Sequence, residues 1–221
     1  MATCSNAVYN TNANSIITNL TGYPYGLSID ASNNIYVSDS TVRVFKFSTN
    51  TTTYSNSNVI IPATSQPINT GGSTLSQIGL ILGLSVDQTR NNIYMSDTGA
   101  YSSSNYYYAG TNSRIQSWLL ASGAVAGTTV AGYASGSASG SYNSISTSYG
   151  LYVDSYGTLF VSDYGKHRVT MWLRNTVSRI LVAGTGVAGS NLTYLNGPQG
   201  IWVDRNANIF AVDSGNHRVV K

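Results

Sequence analysis

Glutamate is absent from this chain, cysteine occurs once, and only 9% of its 221 residues are charged. Each shortage excludes something. The single thiol, Cys4, permits no internal disulfide and no zinc site built of cysteines. With no histidine near it in sequence, Cys4 is not a candidate nucleophile. The charge content is well below the roughly one quarter usual for soluble domains, so solubility falls to the abundant Ser, Thr, Asn, Gly and Tyr. The formal charge of +3 is thinly spread. Arg174, Arg179 and Arg205 stand apart along the chain, and no basic stripe points to a nucleic-acid partner. Apolar runs are short. The longest, residues 78–84, is broken by glycines and falls far below the ~20 residues of a membrane helix, so no membrane span is expected. Residues 1–20 lack the basic and apolar pattern of a secretory leader.

What the chain has is repetition. Four segments share one pattern: GLSIDASNNIYVSD (26–39), GLSVDQTRNNIYMSD (83–97), GLYVDSYGTLFVSD (150–163) and GIWVDRNANIFAVD (200–213). Each opens on Gly, alternates apolar and polar residues to an Asp, crosses a polar turn and alternates again to a second Asp. Period-two alternation bounded by Asn, Asp and Gly predicts a β-hairpin. A third short strand follows, entered by Arg43, Arg114, Arg168 or Arg218, and a fourth apolar stretch precedes the next Gly, clearest at residues 126–130 and 178–182. The repeats begin 57, 67 and 50 residues apart, at Gly26, Gly83, Gly150 and Gly200. A fixed motif recurring at this length, with four strands per unit, predicts an all-β propeller of four-stranded blades.

The runs GPQGIWVD (197–204) and NIFAVDSGNHRV (208–219) closely resemble the NHL repeat, as does DYGKHRV (163–169). The first repeat is shortened to DSTVR (39–43) at the equivalent place, and the second carries an insertion. The resemblance covers almost the whole chain. It implies one propeller domain over 1–221, with repeats at about 23–60, 80–130, 148–185 and 197–221. Residues 8–22 are a candidate closing strand for the last blade, because propellers hide their open edge in this way. Two arrangements remain open: four blades closed on themselves, or part of a larger ring. An unclosed ring would expose blade faces and predicts an oligomer.

All eight carboxylates are the two motif aspartates of the four repeats. Asp30, Asp87, Asp154 and Asp204 fall at the first hairpin, where a carboxylate accepts turn N–H groups. Asp39, Asp97, Asp163 and Asp213 end the second strand, with Arg43, Arg114, Arg168 and Arg218 opening the third. That placement predicts an Asp–Arg pair bracing each blade. A site made once would not be repeated four times, so these eight residues read as structural, and no carboxylate is left to act as acid, base or metal ligand. His167 and His217 occupy one motif position in successive repeats. Propeller lyases similar to the peptide-amidating enzyme use several histidines and a metal about the axis, which two equivalent rim histidines do not supply. No catalytic residue, cofactor or metal is expected.

Function is therefore sought in the loops. Two exceed what the fold needs: residues 98–112 (TGAYSSSNYYYAGTN) between the second and third strands of repeat two, and residues 131–148 (AGYASGSASGSYNSISTS) leading into repeat three. In a propeller these connections emerge on one face. Tyr, Ser, Gly and Asn together suit adaptable binding loops, which makes Tyr101, Tyr106, Tyr107, Tyr108, Tyr133 and Tyr142 the candidate binding residues. The expected role is a non-enzymatic scaffold recognising a protein, peptide or glycan. The NHL resemblance also implies an alternative, the substrate- or RNA-recognition part of a tripartite-motif ubiquitin ligase, and a propeller lyase is a third class. Sequons at Asn19, Asn50 and Asn191 are N-glycosylation candidates. With the low lysine content they suit an extracellular surface, although the compartment stays open.

Overall fold

The alternation in each repeat becomes antiparallel strands in the computed structural model, which describes residues 17–20, 22–48, 55, 58–61, 78–101, 108–109, 112–120, 126–133, 135, 142–176 and 178–221. The first repeat forms β1 (Pro24–Ile29), β2 (Ile35–Asp39), β3 (Val44–Phe47) and β4 (Val59–Ile61), hydrogen-bonded in that order. The second forms β5 (Leu84–Asp87) and β6 (Asn92–Asp97), then a two-strand ribbon of β7 (Ala100–Tyr101) and β8 (Tyr108–Ala109), then β9 (Arg114–Leu119) and β10 (Thr128–Gly132). The third is β11 (Ser148–Val153), β12 (Leu159–Asp163), β13 (Arg168–Trp172) and β14 (Arg179–Gly184). The fourth is β15 (Pro198–Val203), β16 (Ile209–Asp213) and β17 (Arg218–Val220). Among the described residues no helix is long and apolar enough to cross a membrane.

Local chemistry sets the first hairpin of each blade. Asp30 Oδ1 accepts the N–H groups of Ser32 and Asn34, both at 2.9 Å. Asp154 does the same for Tyr156 (2.9 Å) and Thr158 (2.8 Å), and Asp204 for Asn206 (2.9 Å) and Asn208 (2.8 Å). Each turn then passes through a left-handed residue: Asn33, Gly157 or Ala207. A carboxylate two residues before the bend offers the turn amides an acceptor when no strand partner is in reach.

A four-stranded sheet has two faces and cannot bury both alone, so the blades stack. Tyr36, Val44 and Ile61 of the first blade meet Leu84, Ile93 and Met95 of the second. Tyr94, Ile115 and Ala131 of the second meet Leu151, Val161 and Trp172 of the third. Val169 of the third meets Ala211 and Ile201 of the fourth. Close approach of the innermost strands explains the motif glycine. A Cβ on Gly83 would lie 2.2 Å from the Tyr149 carbonyl oxygen, and one on Gly150 would lie 2.3 Å from that of Gln199. Serines near the ends of the second strands knit the same seam: Ser38 donates to the Ile81 carbonyl (2.9 Å) and Ser162 to that of Gln199 (2.5 Å).

The outward faces of the first and fourth blades are not packed on each other. Leu27 and Ile29 are 64% and 59% exposed, whereas Leu84 and Leu151, the counterparts of Leu27, are buried, and Val86 and Val153, those of Ile29, are half-buried. On the fourth blade Trp202 is 57% exposed and Val212 and Val219 lie beside it in the open. Val212 stands where Ser38 and Ser162 stand in blades that have a following neighbour. The fourth sheet has three strands. Of the expected closing strand 8–22, Ile17 and Leu20 pack instead against Val37, Phe45 and Phe47 of the first blade, an aromatic face that no preceding blade covers. Residues 8–16 and 21 lie outside the described residues.

Stacking at the glycines is testable. Gly150→Ala and Gly83→Ala should each cost about 1–3 kcal/mol through overpacking, read as lower stability in urea unfolding. Gly200→Ala, whose Cβ would meet only the Val212 side chain, should be near neutral. Equal losses at all three positions would contradict this account of the seam.

Candidate binding surfaces

The aspartate that ends the second strand is a hub. Asp97 Oδ1 accepts the Gly79 N–H at 2.7 Å, from the connection that leads into the blade, while Oδ2 accepts Arg114 Nε at 2.9 Å and Gln116 Nε2 at 3.1 Å. Asp163 accepts the Ser146 N–H (2.8 Å) and Arg168 Nε (2.9 Å). Asp213 accepts the Asn196 N–H (2.6 Å) and Arg218 Nε (2.7 Å). Burial pushes the Asp97 and Asp163 carboxyls up from the ordinary carboxylate range, against the pull of their amide and arginine partners. At the edge blade burial again opposes ionisation of Asp213, but bonds from Asn216, the Asn196 amide and Arg218 outweigh it, and that carboxyl lies low.

The first blade departs from the expected Asp39–Arg43 pair. Asp39 Oδ1 is taken by the Thr41 N–H (2.9 Å) and hydroxyl (2.6 Å), while its buried Oδ2 has no partner. The reason is the shortened DSTVR connection. It turns through Val42 at φ 61°, without the single-turn 3-10 segment that precedes Arg168 and Arg218 at Tyr164–Lys166 and Ser214–Asn216. The two histidines cap those segments in the left-handed region. His167 Nδ1 accepts the Gly197 N–H at 3.0 Å and so ties the third blade to the connection into the fourth. His217, on the outermost blade, is exposed.

Of the candidate tyrosines, Tyr101 and Tyr108 pair across the β7–β8 ribbon, which rises from the connection between the second and third strands of the second blade. Tyr106 and Tyr107 lie outside the described residues. Tyr133 is half-buried at the start of the second long loop. The far end of that loop is not a free projection: Ile145 is buried between the second and third blades, and Ser146 binds Asp163. Tyr142 is 62% exposed, and the Arg179 guanidinium sits 4.0 Å from its ring centroid. Asn19 is exposed; Asn191 is exposed and its Oδ1 accepts from the Thr193 N–H and hydroxyl. Asn50 lies outside the described residues.

The fold also gathers cations that are scattered in sequence. Lys166 donates to the Ser144 hydroxyl, Arg168 Nη2 to the Ser144 carbonyl (2.6 Å), and Arg179 to the Tyr142 carbonyl and, through its own N–H, to Asn143 Oδ1 (3.2 Å). On the other face, a cleft of about 640 Å³ between the second and third blades is lined by Arg90, Tyr94, Thr129, Trp172 and Arg174. There Arg90 donates to Asp87 (2.8 Å) and to the Ser155 carbonyl (3.2 Å). No spacing rule in the chain announces either grouping, because the partners come from different repeats. Among the described residues no three His, Cys or Asp side chains are grouped as they would be to share a metal ion.

The hubs differ in what their loss should do. Asp97→Asn leaves Arg114 buried without a countercharge and should cost about 3–5 kcal/mol in urea unfolding. Asp39→Asn, at a hub with no arginine partner, should cost no more than about 1 kcal/mol. A similar loss at both positions would remove the distinction.

No protein-family model and no curated protein matches the chain. Solved structures do. The chain is similar to one in a nidogen/laminin complex (TM-score 0.60, 15% identity, 90% of this chain and 59% of that one). It is similar to a protein of unknown function from Bacteroides thetaiotaomicron (0.65, 16%, 90% and 46%) and to an auxiliary nutrient binding protein from the same bacterium (0.58, 12%, 88% and 46%). A streptogramin B lyase is also similar (0.56, 10%, 92% and 53%). The chain thus spans about half the length of the structures it matches. At these identities the likeness is one of fold, and with the four stacked sheets it establishes an all-β propeller.

Proposed function

We propose that this propeller is a non-enzymatic recognition module of NHL type, which takes a protein, peptide or glycan ligand on the face bearing the two long loops. The observation that carries the reading is the commitment of all eight carboxylates. Asp30, Asp154 and Asp204 accept turn amides, Asp39 accepts from Thr41, and Asp87, Asp97, Asp163 and Asp213 pair with arginines. Acid–base chemistry needs a carboxyl that is available to a substrate, and each of these is already a strut. Two of the similar structures, one in a protein complex and one a nutrient binding protein, are in keeping with a binding role. The lyase shares the fold, and a fold alone does not transfer an activity.

The test is to screen the intact chain on peptide and glycan arrays, then repeat with residues 102–107 and 134–141 replaced by short Gly-Ser links. Specific signals should vanish while thermal unfolding is unchanged. Signals that survive both replacements would refute the loop face as the site.

Self-association is the second part of the reading. Trp202, Phe210, Val212 and Val219 on the fourth blade, and Leu27 and Ile29 on the first, occupy the positions that form the three seams inside the chain, so a second copy fits head to tail as a further seam. Sedimentation should show a mass that rises with concentration for the wild type, and a monomer for Trp202→Ser combined with Val212→Ser. A wild type that stays monomeric throughout would overturn this.

A further inference from the structure

Three consecutive residues at the base of the second long loop, Tyr142, Asn143 and Ser144, receive hydrogen bonds from three cationic residues, Lys166, Arg168 and Arg179. The loop groups that accept these bonds are neutral. Only one carboxylate stands in the cluster, Asp163, and Arg168 is already paired with it at 2.9 Å. The other seven carboxylate side chains are the repeat aspartates of the other hairpins and hubs, so Asp163 is the one carboxylate of this corner. The corner therefore holds three positive charges against one negative.

This charge is not out in water. Ser144 and Asp163 are fully buried, Arg168 is nearly so, and Lys166 and Arg179 are half-buried. Arg179 Nη1 is buried with no hydrogen-bond partner. Burial, then the neighbouring Arg168, pushes the Arg179 guanidinium down, and burial with Arg168 and Arg179 does the same to the Lys166 ammonium despite the pull of Asp163. Desolvated charge of one sign is costly until an opposite charge enters. Beside it stands a platform: one face of the exposed Tyr142 ring carries the Arg179 guanidinium. A flat ring next to an unbalanced guanidinium suits a sugar ring stacked on the aromatic, with its acidic substituent against the cations.

We propose that Tyr142, Lys166 and Arg179 form a site for an anionic saccharide, with its sulfate or carboxylate set against the surplus positive charge of the corner. This rests on the loop-face reading and names the ligand class for it. Arg168 and Asp163 hold the corner in place, and Tyr142 orients the sugar.

The probes are a fully sulfated heparin-derived hexasaccharide, an unsulfated hyaluronate hexasaccharide and a hexapeptide of aspartate, titrated into the full chain by calorimetry. The Arg179 Nε–H resonance is followed in parallel by NMR. One or both saccharides should bind with a salt-dependent affinity and shift the Arg179 signal, and the pair of probes separates sulfate from carboxylate recognition. Arg179→Gln and Lys166→Gln should each weaken binding roughly tenfold. Tyr142→Ala should weaken it too, and Arg205→Gln, on the distant fourth blade, should leave it unchanged. Binding of neither saccharide, tighter binding of the aspartate peptide, or saccharide binding indifferent to Arg179→Gln and Lys166→Gln would overturn the proposal. Should a variant fail to fold, the Arg179 resonance of the wild type still decides. Array signals that persist in Arg179→Gln but vanish on loop replacement would sink this inference while leaving the loop face as the binding surface.

Discussion

Blade stacking is the constraint from which the rest of the structure follows. Each sheet is one layer thick and apolar on both faces, so it is stable only when a neighbour covers it. The cover must come close, because the innermost strands meet backbone to backbone at Gly83 and Gly150. Everything polar in that seam must then find a partner within it. Ser38 and Ser162 do so by donating across to the next blade, and His167 does so by accepting the Gly197 amide.

The aspartate hubs solve a second problem set by the first. Every blade needs a long connection from its predecessor and a reversal from its second to its third strand, and both leave buried amides that no sheet satisfies. One carboxylate per blade serves both, accepting an amide from the incoming connection on one oxygen and an arginine on the other. The first blade shows the rule by exception. With one residue fewer in its reversal, Thr41 takes the oxygen that an incoming amide takes elsewhere, and Asp39 Oδ2 is left without a partner.

The recognition proposed for the loop-bearing face draws on side chains that the bracing leaves over. Cations outnumber carboxylates, and since four carboxylates are paired with arginines and three serve turns, the surplus positive charge collects where a loop folds back over a blade. The Tyr142–Ser144 corner is that place on the loop-bearing face. In its counterpart across the molecule, the cleft lined by Arg90 and Arg174, Arg90 is paired with Asp87.

Short-range pattern was enough to read the all-β class, the four hairpins, the roles of Asp30, Asp154 and Asp204, and the arginine partners of Asp97, Asp163 and Asp213. All of these join residues within one repeat, where period-two alternation and fixed offsets carry the information. The missing Asp39–Arg43 pair, the seat of Ile17 and Leu20 on the first blade, and the gathering of Lys166, Arg168 and Arg179 around Tyr142 were decided only by the tertiary structure. Each joins segments from different strands or blades, or turns on one residue of connection length, and the distances that matter are then set by how sheets stack and not by spacing along the chain.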